Sequence, residues 1–172
     1  GVTTAIDPLM QECGGTWVAY GGGQGDRYAV DDHNRILVPP EDPSYTLRLV
    51  WLSEQQERGY YYGFSNEALW PLCHNAYNEP VFDSGDWQAY QDVNRMFAEH
   101  VLDEIDGRPA AVFTQDYHLA LLPCMLRNAD PEILTGQFWH IPWPNHEIFR
   151  ICPWQDELLD GLLANNLLGF HI

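Results

Sequence analysis

The stretch from residue 110 to residue 150 constrains the fold more than any other part of this sequence. Two short apolar runs, at 110–114 and 134–139, have the length of buried strands, and each ends at polar residues. Leucines and a methionine recur at helical spacing between the runs, which predicts a strand, a helix and a second strand. A connection of that kind requires the two strands to be parallel.

The polar residues after the two runs indicate a binding site at one edge of the predicted sheet. Asp116 follows the first run closely, and His140 follows the second directly. The carboxyl ends of parallel strands meet at one edge of a sheet, where open α/β proteins bind their ligands. We therefore expect Asp116 and His140 to face the same crevice.

Three interpretations of Asp116, His118 and His140 are compatible with their residue types. A carboxylate and an imidazole at strand ends could hold a sugar by its hydroxyls and stabilise charge as a glycosidic bond breaks. An Asp-x-His pair with a distant histidine could instead supply three ligands to a metal ion. In the third interpretation they are structural, with His118 capping a helix and His140 bonded to backbone.

The rest of the chain predicts one α/β domain with an irregular, partly β segment near its front. The predicted elements outside 110–150 are helices at 2–12, at 86–106 and from 153, a short helix opening at the Ser53/Gln56 capping box, and strands at 16–20, 36–38, 45–52 and 167–170. Antiparallel pairing is expected between the two strands that flank the loop at 39–43. The last strand is expected to be buried.

A glycine-rich run at 21–25 follows the first predicted strand. It could cradle a phosphate, but it lacks the lysine and the hydroxyl residue of a P-loop and the spacing of a dinucleotide fingerprint. The turn preferences of glycine favour a flexible hairpin loop.

The segment at 60–71 carries more aromatic residues than a routine surface helix. Each ring taken singly is best explained as filling core volume. Their concentration beside Gly63 and Asn66 suggests a wall that stacks against a sugar, because an aromatic face fits the apolar face of a pyranose and amides bond its hydroxyls.

The charge balance disfavours whole classes of partner. Eight basic and 25 acidic residues give a formal charge of −17, which repels phosphate backbones and anionic membranes. All eight cations are arginines, which is compatible with a salty cytoplasm or with a GC-rich genome. The four cysteines form no C-x-x-C motif, and free thiols in a reducing cytoplasm are expected.

Four sequence strings, taken together, resemble one known family. They are YYYGFSNEALWPLCH at 60–74, QDYHLALLP at 115–123, FWHIPWPNHEIF at 138–149 and LLGFH at 167–171. They resemble the F-S-N-x-x-L-W-P, D-Y-H-L, H-I-P-F-P and L-L-G-F segments of the trehalose-6-phosphate synthase family of retaining glycosyltransferases, in the same order. The resemblance spans nearly the whole chain.

The resemblance implies the N-terminal lobe of a GT-B fold, which is a Rossmann-like parallel sheet flanked by helices, with a small β-hairpin segment near the N-terminus. Residues 1–172 would form a single, incomplete lobe on the acceptor side. The lobe that holds the nucleotide sugar would follow residue 172, so this chain alone is expected not to turn over substrate.

The implied reaction moves glucose from a nucleotide sugar of the UDP-glucose type to glucose 6-phosphate and gives trehalose 6-phosphate. It needs no cofactor and no metal. The expected partners are the nucleotide-sugar donor and a phosphorylated sugar or polyol acceptor, with no nucleic acid and no membrane. The expected location is the cytoplasm, and a homo-oligomer is one expectation, because an exposed aromatic edge could drive self-association.

The family's site residues carry over to five positions of this sequence. Gly1 resembles the second glycine of a loop that approaches the donor's phosphates. Tyr61 and Trp70 resemble acceptor-site residues, the first giving its hydroxyl to the sugar phosphate and the second walling the hexose. Asp116 resembles the acceptor-binding aspartate at the reaction centre, and His140 resembles the histidine that meets the transferred glucose.

Two positions depart from the family's pattern near the expected acceptor pocket. Tyr20, expected to bind substrate, stands where trehalose-forming relatives commonly have tryptophan, and Gln115 replaces their usual histidine before Asp116. Glycerol 3-phosphate, giving glucosylglycerol phosphate, is therefore an alternative acceptor. A non-catalytic sugar-phosphate-binding module is the alternative from another class.

Overall fold

The chain folds into helices and six strands over the residues that the structure describes. The structure is a computed structural model that describes residues 2–171, with the backbone alone for Val2. Its residue contacts divide into two compact units, one of residues 1–52 and one of residues 53–172. None of the described helices is both long and apolar enough to cross a membrane.

The first unit contains α1 (Val2–Cys13), β1 (Thr16–Tyr20), α2 (Asp26–Ala29), β2 (Arg35–Val38) and β3 (Tyr45–Val50). The second contains α3 (Glu54–Glu57), a π-helix (Arg58–Leu69), α4 (Trp70–His74), α5 (Ser84–Ile105), β4 (Ala111–Gln115), a 3₁₀ turn (Tyr117–Leu119), α6 (Leu122–Ala129), β5 (Leu134–Trp139), α7 (His146–Phe149), α8 (Gln155–Leu163) and β6 (Leu167–Phe170). The chain therefore has the α/β class that the sequence predicted.

The sheet of the first unit is mixed and has the order β1-β3-β2. β2 runs antiparallel to β3, with Val38 opposite Tyr45, which confirms the predicted pairing. β1 runs parallel to β3, so the glycine-rich run after β1 does not reverse the chain into a neighbouring strand. The hairpin-loop prediction for 21–25 was therefore wrong. The run leads into α2 instead, and the amide of Gly23 donates to Asp26 Oδ2 at 2.7 Å.

The sheet of the second unit is parallel and has the order β4-β5-β6. β4 and β5 pair in register from Ala111 opposite Leu134, with α6 between them in sequence, which confirms the predicted strand, helix and strand. β4 and β6 are the outer strands of this sheet, and Phe113 is 57% and Leu167 is 71% exposed. The prediction that these two runs are buried was wrong, because the length of an apolar run does not show whether other elements cover the faces of its strand.

The core of the second unit forms where α5 packs against the π-helix. α5 has the predicted amphipathic pattern, and the ring of Phe64 lies 4.8 Å from that of Trp87 and 4.7 Å from that of Tyr90. The close approach depends on glycines of the π-helix: a Cβ on Gly63 would overlap the carboxylate of Asp86. The aromatic segment therefore fills core volume on the side that faces α5.

The predicted capping box is present at the start of α3. Ser53 Oγ accepts from the amide of Gln56 at 3.2 Å, and the amide of Ser53 donates to Gln56 Oε1 at 2.9 Å. The helix does not end after a few residues but continues directly into the π-helix. The sequence predicted where this helix begins but not its length.

Candidate functional site

Asp116 directly follows β4 and has a backbone conformation that only glycine adopts easily. Its φ is 64° and its ψ is −174°, and a non-glycine residue in such a region costs about 1–3 kcal/mol. Hydrogen bonds on both sides of the residue hold it there. Its amide donates to the carbonyl of Phe138 at 2.7 Å, and its carbonyl accepts from Gln137 Nε2 at 2.8 Å.

The carboxylate of Asp116 is held by backbone amides. Asp116 Oδ1 accepts from the amide of Tyr117 at 2.9 Å and from the amide of His140 at 3.2 Å. The second bond joins the carboxyl ends of β4 and β5. The structure thus brings Asp116 and His140 together at one edge of the parallel sheet.

The His140 imidazole is oriented by its neighbours. His140 Nε2 lies 2.8 Å from Gln115 Oε1, and its ring centroid lies 4.7 Å from that of Phe138 and 5.5 Å from that of His171. An amide oxygen can only accept, so with Gln115 Oε1 facing the ring this contact is a hydrogen bond when His140 Nε2 carries a proton. The other ring nitrogen, Nδ1, is then the hydrogen-bond acceptor of the neutral ring.

The His118 ring packs against the ring of Tyr61. The two rings stack at 5.4 Å with an interplanar angle of 12°, and His118 also stacks on Tyr117 at 4.1 Å. Burial lowers the pKa of His118, and the nearby charge of Asp116 opposes this only in part. The imidazole is therefore neutral at neutral pH and presents a flat face to the Tyr61 ring.

Tyr61 and Trp70 lie on the exposed part of the aromatic segment. Tyr61 is 41% and Trp70 is 43% exposed, and the Trp70 indole stacks on His74 at 4.0 Å. Cys73, three residues after Trp70, has its pKa raised to about 12 by burial, then by Cys152 and then by the charge of Asp116.

One further predicted site residue, Tyr20, lies in the first unit. Tyr20 is the last residue of β1 and is 40% exposed. A Cβ on Gly22 would lie 3.0 Å from its ring, so the glycine leaves room for the tyrosine there. Gly1 lies outside the described residues.

The metal interpretation of Asp116, His118 and His140 gains no support from the geometry. Across residues 2–171, no three His, Cys, Asp or Glu side chains are grouped so that they could hold a metal ion. His118 is instead stacked between Tyr61 and Tyr117, and the His140 ring is bonded to Gln115.

Sequence reasoning missed the two glutamines that contact this site as structural partners. Gln115 holds His140, and Gln137, only 1% exposed, bridges Asp116 and Asn165. Asn165 Nδ2 donates to Gln137 Oε1 at 3.1 Å. The sequence did contain a signal for Gln137, which lies in the middle of a predicted buried strand. A buried side-chain amide needs hydrogen-bond partners, so a structural role could have been expected there.

Comparisons with known proteins give a consistent family. The model of glycosyltransferase family 20 matches residues 1–172. The trehalose-6-phosphate synthase of Mycolicibacterium vanbaalenii is 41% identical over 172 residues, which are 100% of this chain and 34% of that protein. The chain therefore spans about a third of the length of the curated relatives that it matches.

Solved structures share the fold. One from E. coli, described as bound with UDP-2-fluoro glucose, is 31% identical, with a TM-score of 0.85 over 100% of this chain and 37% of that one. An α,α-trehalose-phosphate synthase (UDP-forming) from Burkholderia xenovorans, in complex with glucose-6-phosphate, is 26% identical, with a TM-score of 0.79 over 100% of this chain and 37% of that one.

Proposed function

The chain belongs to glycosyltransferase family 20, and we propose that it forms the acceptor-side lobe of a retaining glucosyltransferase. The reaction moves glucose from UDP-glucose to glucose 6-phosphate and gives trehalose 6-phosphate. Relatives described as trehalose-6-phosphate synthases and as complexes with a UDP-sugar and with glucose-6-phosphate support this assignment. In this proposal the nucleotide is held by a second lobe, which agrees with the chain spanning about a third of the length of its curated relatives.

The observation that carries the proposal is the convergence of Asp116 and His140. The bond from the His140 amide to Asp116 Oδ1 fixes a carboxylate and an imidazole at one sheet edge. In the proposed reaction, Asp116 binds an acceptor hydroxyl and His140 meets the glucose being transferred. A carboxylate in this position stabilises the positive charge that develops as the glycosidic bond to UDP breaks.

In this proposal, electrostatic stabilisation supplies part of the rate enhancement, and most of the rest comes from holding the donor and the acceptor in the reacting geometry. The leaving phosphate of the donor takes the proton of the attacking acceptor hydroxyl on the same face of the sugar, so that no enzymatic nucleophile is required. Tyr61 gives its hydroxyl to the acceptor phosphate and Trp70 covers the hexose. Gly1 approaches the donor phosphates without a side chain, and Tyr20 lines the acceptor pocket.

A second acceptor, glycerol 3-phosphate, is favoured by one observation. Tyr20, which stands where trehalose-forming relatives commonly have tryptophan, is 40% exposed at the end of β1, so this departure changes a residue that is expected to bind the acceptor. A smaller acceptor would give glucosylglycerol phosphate by the same displacement. A sugar-phosphate-binding module without transfer is the remaining alternative.

We further propose that the protein acts in the cytoplasm and that its product leads to a compatible solute. The four cysteines Cys13, Cys73, Cys124 and Cys152 are free thiols, as expected in a reducing compartment. The formal charge of −17 without lysine agrees with a salty interior, where carboxylates hold water. Self-association through the exposed aromatic residues stays a prediction.

The test is an acceptor panel with the protein expressed from its own reading frame. UDP release from UDP-glucose is measured with glucose 6-phosphate, with glycerol 3-phosphate, with unphosphorylated glucose and with no acceptor. The proposal expects the highest kcat/KM with glucose 6-phosphate. A higher value with glycerol 3-phosphate selects the second acceptor, and binding of a sugar phosphate without UDP release with any acceptor selects the binding module.

A further inference from the structure

Two glutamines contact the candidate site in a crossed arrangement. Gln115 ends β4, the strand that leads to Asp116, yet its side chain bonds to His140 after β5. Gln137 lies in β5, the strand that leads to His140, yet its side chain bonds to Asp116 after β4. We propose that Gln115 and Gln137 are positioning residues, each of which holds the reacting residue that follows the other strand.

Gln115 sets the tautomer of His140. The 2.8 Å contact joins Gln115 Oε1 to His140 Nε2, and because an amide oxygen only accepts, it favours the neutral tautomer that has its proton on Nε2 and none on Nδ1. The Gln115 Nε2 atom is buried and has no hydrogen-bond partner among the described residues. The contact from Oε1 to His140 is therefore the side-chain hydrogen bond that orients Gln115 at the site. Gln115 therefore decides which ring nitrogen can accept a hydrogen bond from the glucose being transferred.

Gln137 holds the backbone of Asp116. Its Nε2 atom donates to the Asp116 carbonyl at 2.8 Å, and its Oε1 atom accepts from Asn165 Nδ2 at 3.1 Å. Asn165 Nδ2 also donates to the carbonyl of Leu162 at the end of α8. A buried side chain that is bonded at both ends has one orientation, and here it stabilises Asp116 at a φ of 64°.

The crossed contacts predict crossed kinetic effects. This step rests on the proposed function, in which His140 meets the donor glucose and Asp116 binds the acceptor. Gln115→Leu should raise the KM for UDP-glucose by about tenfold and leave the acceptor KM unchanged, because one hydrogen bond that orients a binding group is lost. Gln137→Met should raise the acceptor KM by about tenfold and leave the KM for UDP-glucose unchanged.

Matched variants separate positioning from a loss of stability. Asn166 Oδ1 accepts from the amide of Thr135 at the other end of β5, so Asn166→Ala removes a hydrogen bond of the same strand at a distance from the site. It should lower the melting temperature as Gln137→Met does and change neither KM. Gln115→Glu keeps an acceptor oxygen for His140 Nε2 and should restore the KM for UDP-glucose towards the original value.

The tautomer of His140 is measured without substrate, by 15N NMR of the full-length protein labelled at histidine, with the His140 signals assigned by their loss in His140→Asn. The Nε2–H form should dominate in the original protein and in Gln115→Glu, and Gln115→Leu should give a mixture. An Nδ1–H form in the original protein, or unchanged ring signals in Gln115→Leu, overturns the role of Gln115.

The kinetic measurements test the crossed roles of Gln115 and Gln137. Equal effects of both variants on both KM values, or effects matched by Asn166→Ala, overturn the crossed arrangement in favour of a general structural role. If the original protein releases no UDP with any acceptor, the proposed function fails. The NMR result then still decides whether Gln115 positions His140, so the two failures are distinguishable.

Discussion

At the scale of single residues, the site depends on Asp116. The residue combines a left-handed φ of 64° with bonds from its amide, its carbonyl and its carboxylate. Strained positions persist when several surrounding bonds determine them, and such positions cluster where function requires a fixed geometry. The strained backbone at Asp116 therefore helps to fix the position of its carboxylate.

The strain can be measured by comparing two substitutions at this position. Asp116→Ala and Asp116→Gly both remove the carboxylate, but only glycine adopts a φ of 64° without a Cβ penalty. We predict that the glycine variant is more stable than the alanine variant by about 1 kcal/mol in urea unfolding. Equal stability, or a more stable alanine variant, would show that the conformation carries no strain.

The stacked pair of Tyr61 and His118 gives a second residue-scale prediction. Tyr61→Phe keeps the ring that lies 5.4 Å from His118 and removes only the hydroxyl assigned to the acceptor phosphate. The acceptor KM should rise by about tenfold while the KM for UDP-glucose stays the same, since one hydrogen bond to a charged group is lost. Steady-state kinetics with each substrate varied in turn provides the measurement.

The neighbouring tyrosine supplies the control. Tyr62 is 55% exposed and meets Tyr61 edge-on at 5.1 Å. Tyr62→Phe removes a hydroxyl from the same helix and should leave both KM values unchanged. If the two phenylalanine variants behave alike, Tyr61 has no special part in acceptor binding.

The residues of the site were only partly predictable from the sequence. Asp116 and His140 were predicted to be neighbours because the ends of parallel strands meet at one edge, and that inference needs only the strand pattern. The partners of Gln115 and Gln137 were not predictable, because a side-chain amide bonds whatever the tertiary fold brings within about 3 Å. Their crossed contacts follow from the register of β4 and β5.

At the scale of elements, glycines decide how closely the helices pack. Gly161 lies in α8, where an added Cβ would overlap the carbonyl oxygen of Ala120 and lie 3.0 Å from Leu121 Cα. Both obstacles are in the segment that joins the 3₁₀ turn to α6, immediately after Asp116, Tyr117 and His118. The packing of α8 therefore supports the segment that carries the site.

We predict that Gly161→Ala lowers the free energy of unfolding by about 1–3 kcal/mol, because backbone must move to admit the methyl group. Gly136→Ala is the matched control in the same unit. An added Cβ there would meet its nearest atom, Phe113 Cδ2, at 3.5 Å, an ordinary contact. Urea unfolding measures both variants, and a control that destabilises as much as Gly161→Ala would contradict the packing argument.

The elements were predicted well where the pattern of apolar residues repeats. The spacing over 86–106 identified α5, and the runs around α6 identified a parallel strand pair. The direction of the chain after β1 was not predictable, because glycines permit a turn without specifying the strand that follows it. The π-helix was missed because its irregular hydrogen bonding depends on packing against α5 at Gly59 and Gly63.

At the scale of the whole molecule, protonation of buried groups links stability to pH. Burial raises the pKa of Cys73 from 9.0 to about 12 and that of Cys152 from 9.0 to about 11. Burial also raises the pKa of Tyr60 and of Tyr90 well above 10.0. Because the folded state binds these protons more tightly than the unfolded state, their contribution is complete below pH 9 and is lost as the pH rises.

We predict that the free energy of unfolding is constant near pH 8 and falls above about pH 9, by about 1 kcal/mol per pH unit for each buried thiol. Urea unfolding at a series of pH values measures the slope. A variant with Cys73→Ala and Cys152→Ala should show a shallower fall, after correction for its lower stability at pH 7. If the free energy of unfolding falls with pH equally steeply in the original protein and in the double variant, the two thiols have the same pKa in the folded and unfolded states.

In the proposed function, Asp116 serves glucosyl transfer to a phosphorylated acceptor. The most direct measurement is UDP release from UDP-glucose with glucose 6-phosphate, comparing the original protein with Asp116→Asn, which keeps the acceptor oxygen for Tyr117 and His140 but removes the charge. We expect acceptor-dependent UDP release that falls by about a hundredfold or more in the variant. Release that is equal in the two proteins, or that is absent from the original protein with every acceptor tested, would contradict it.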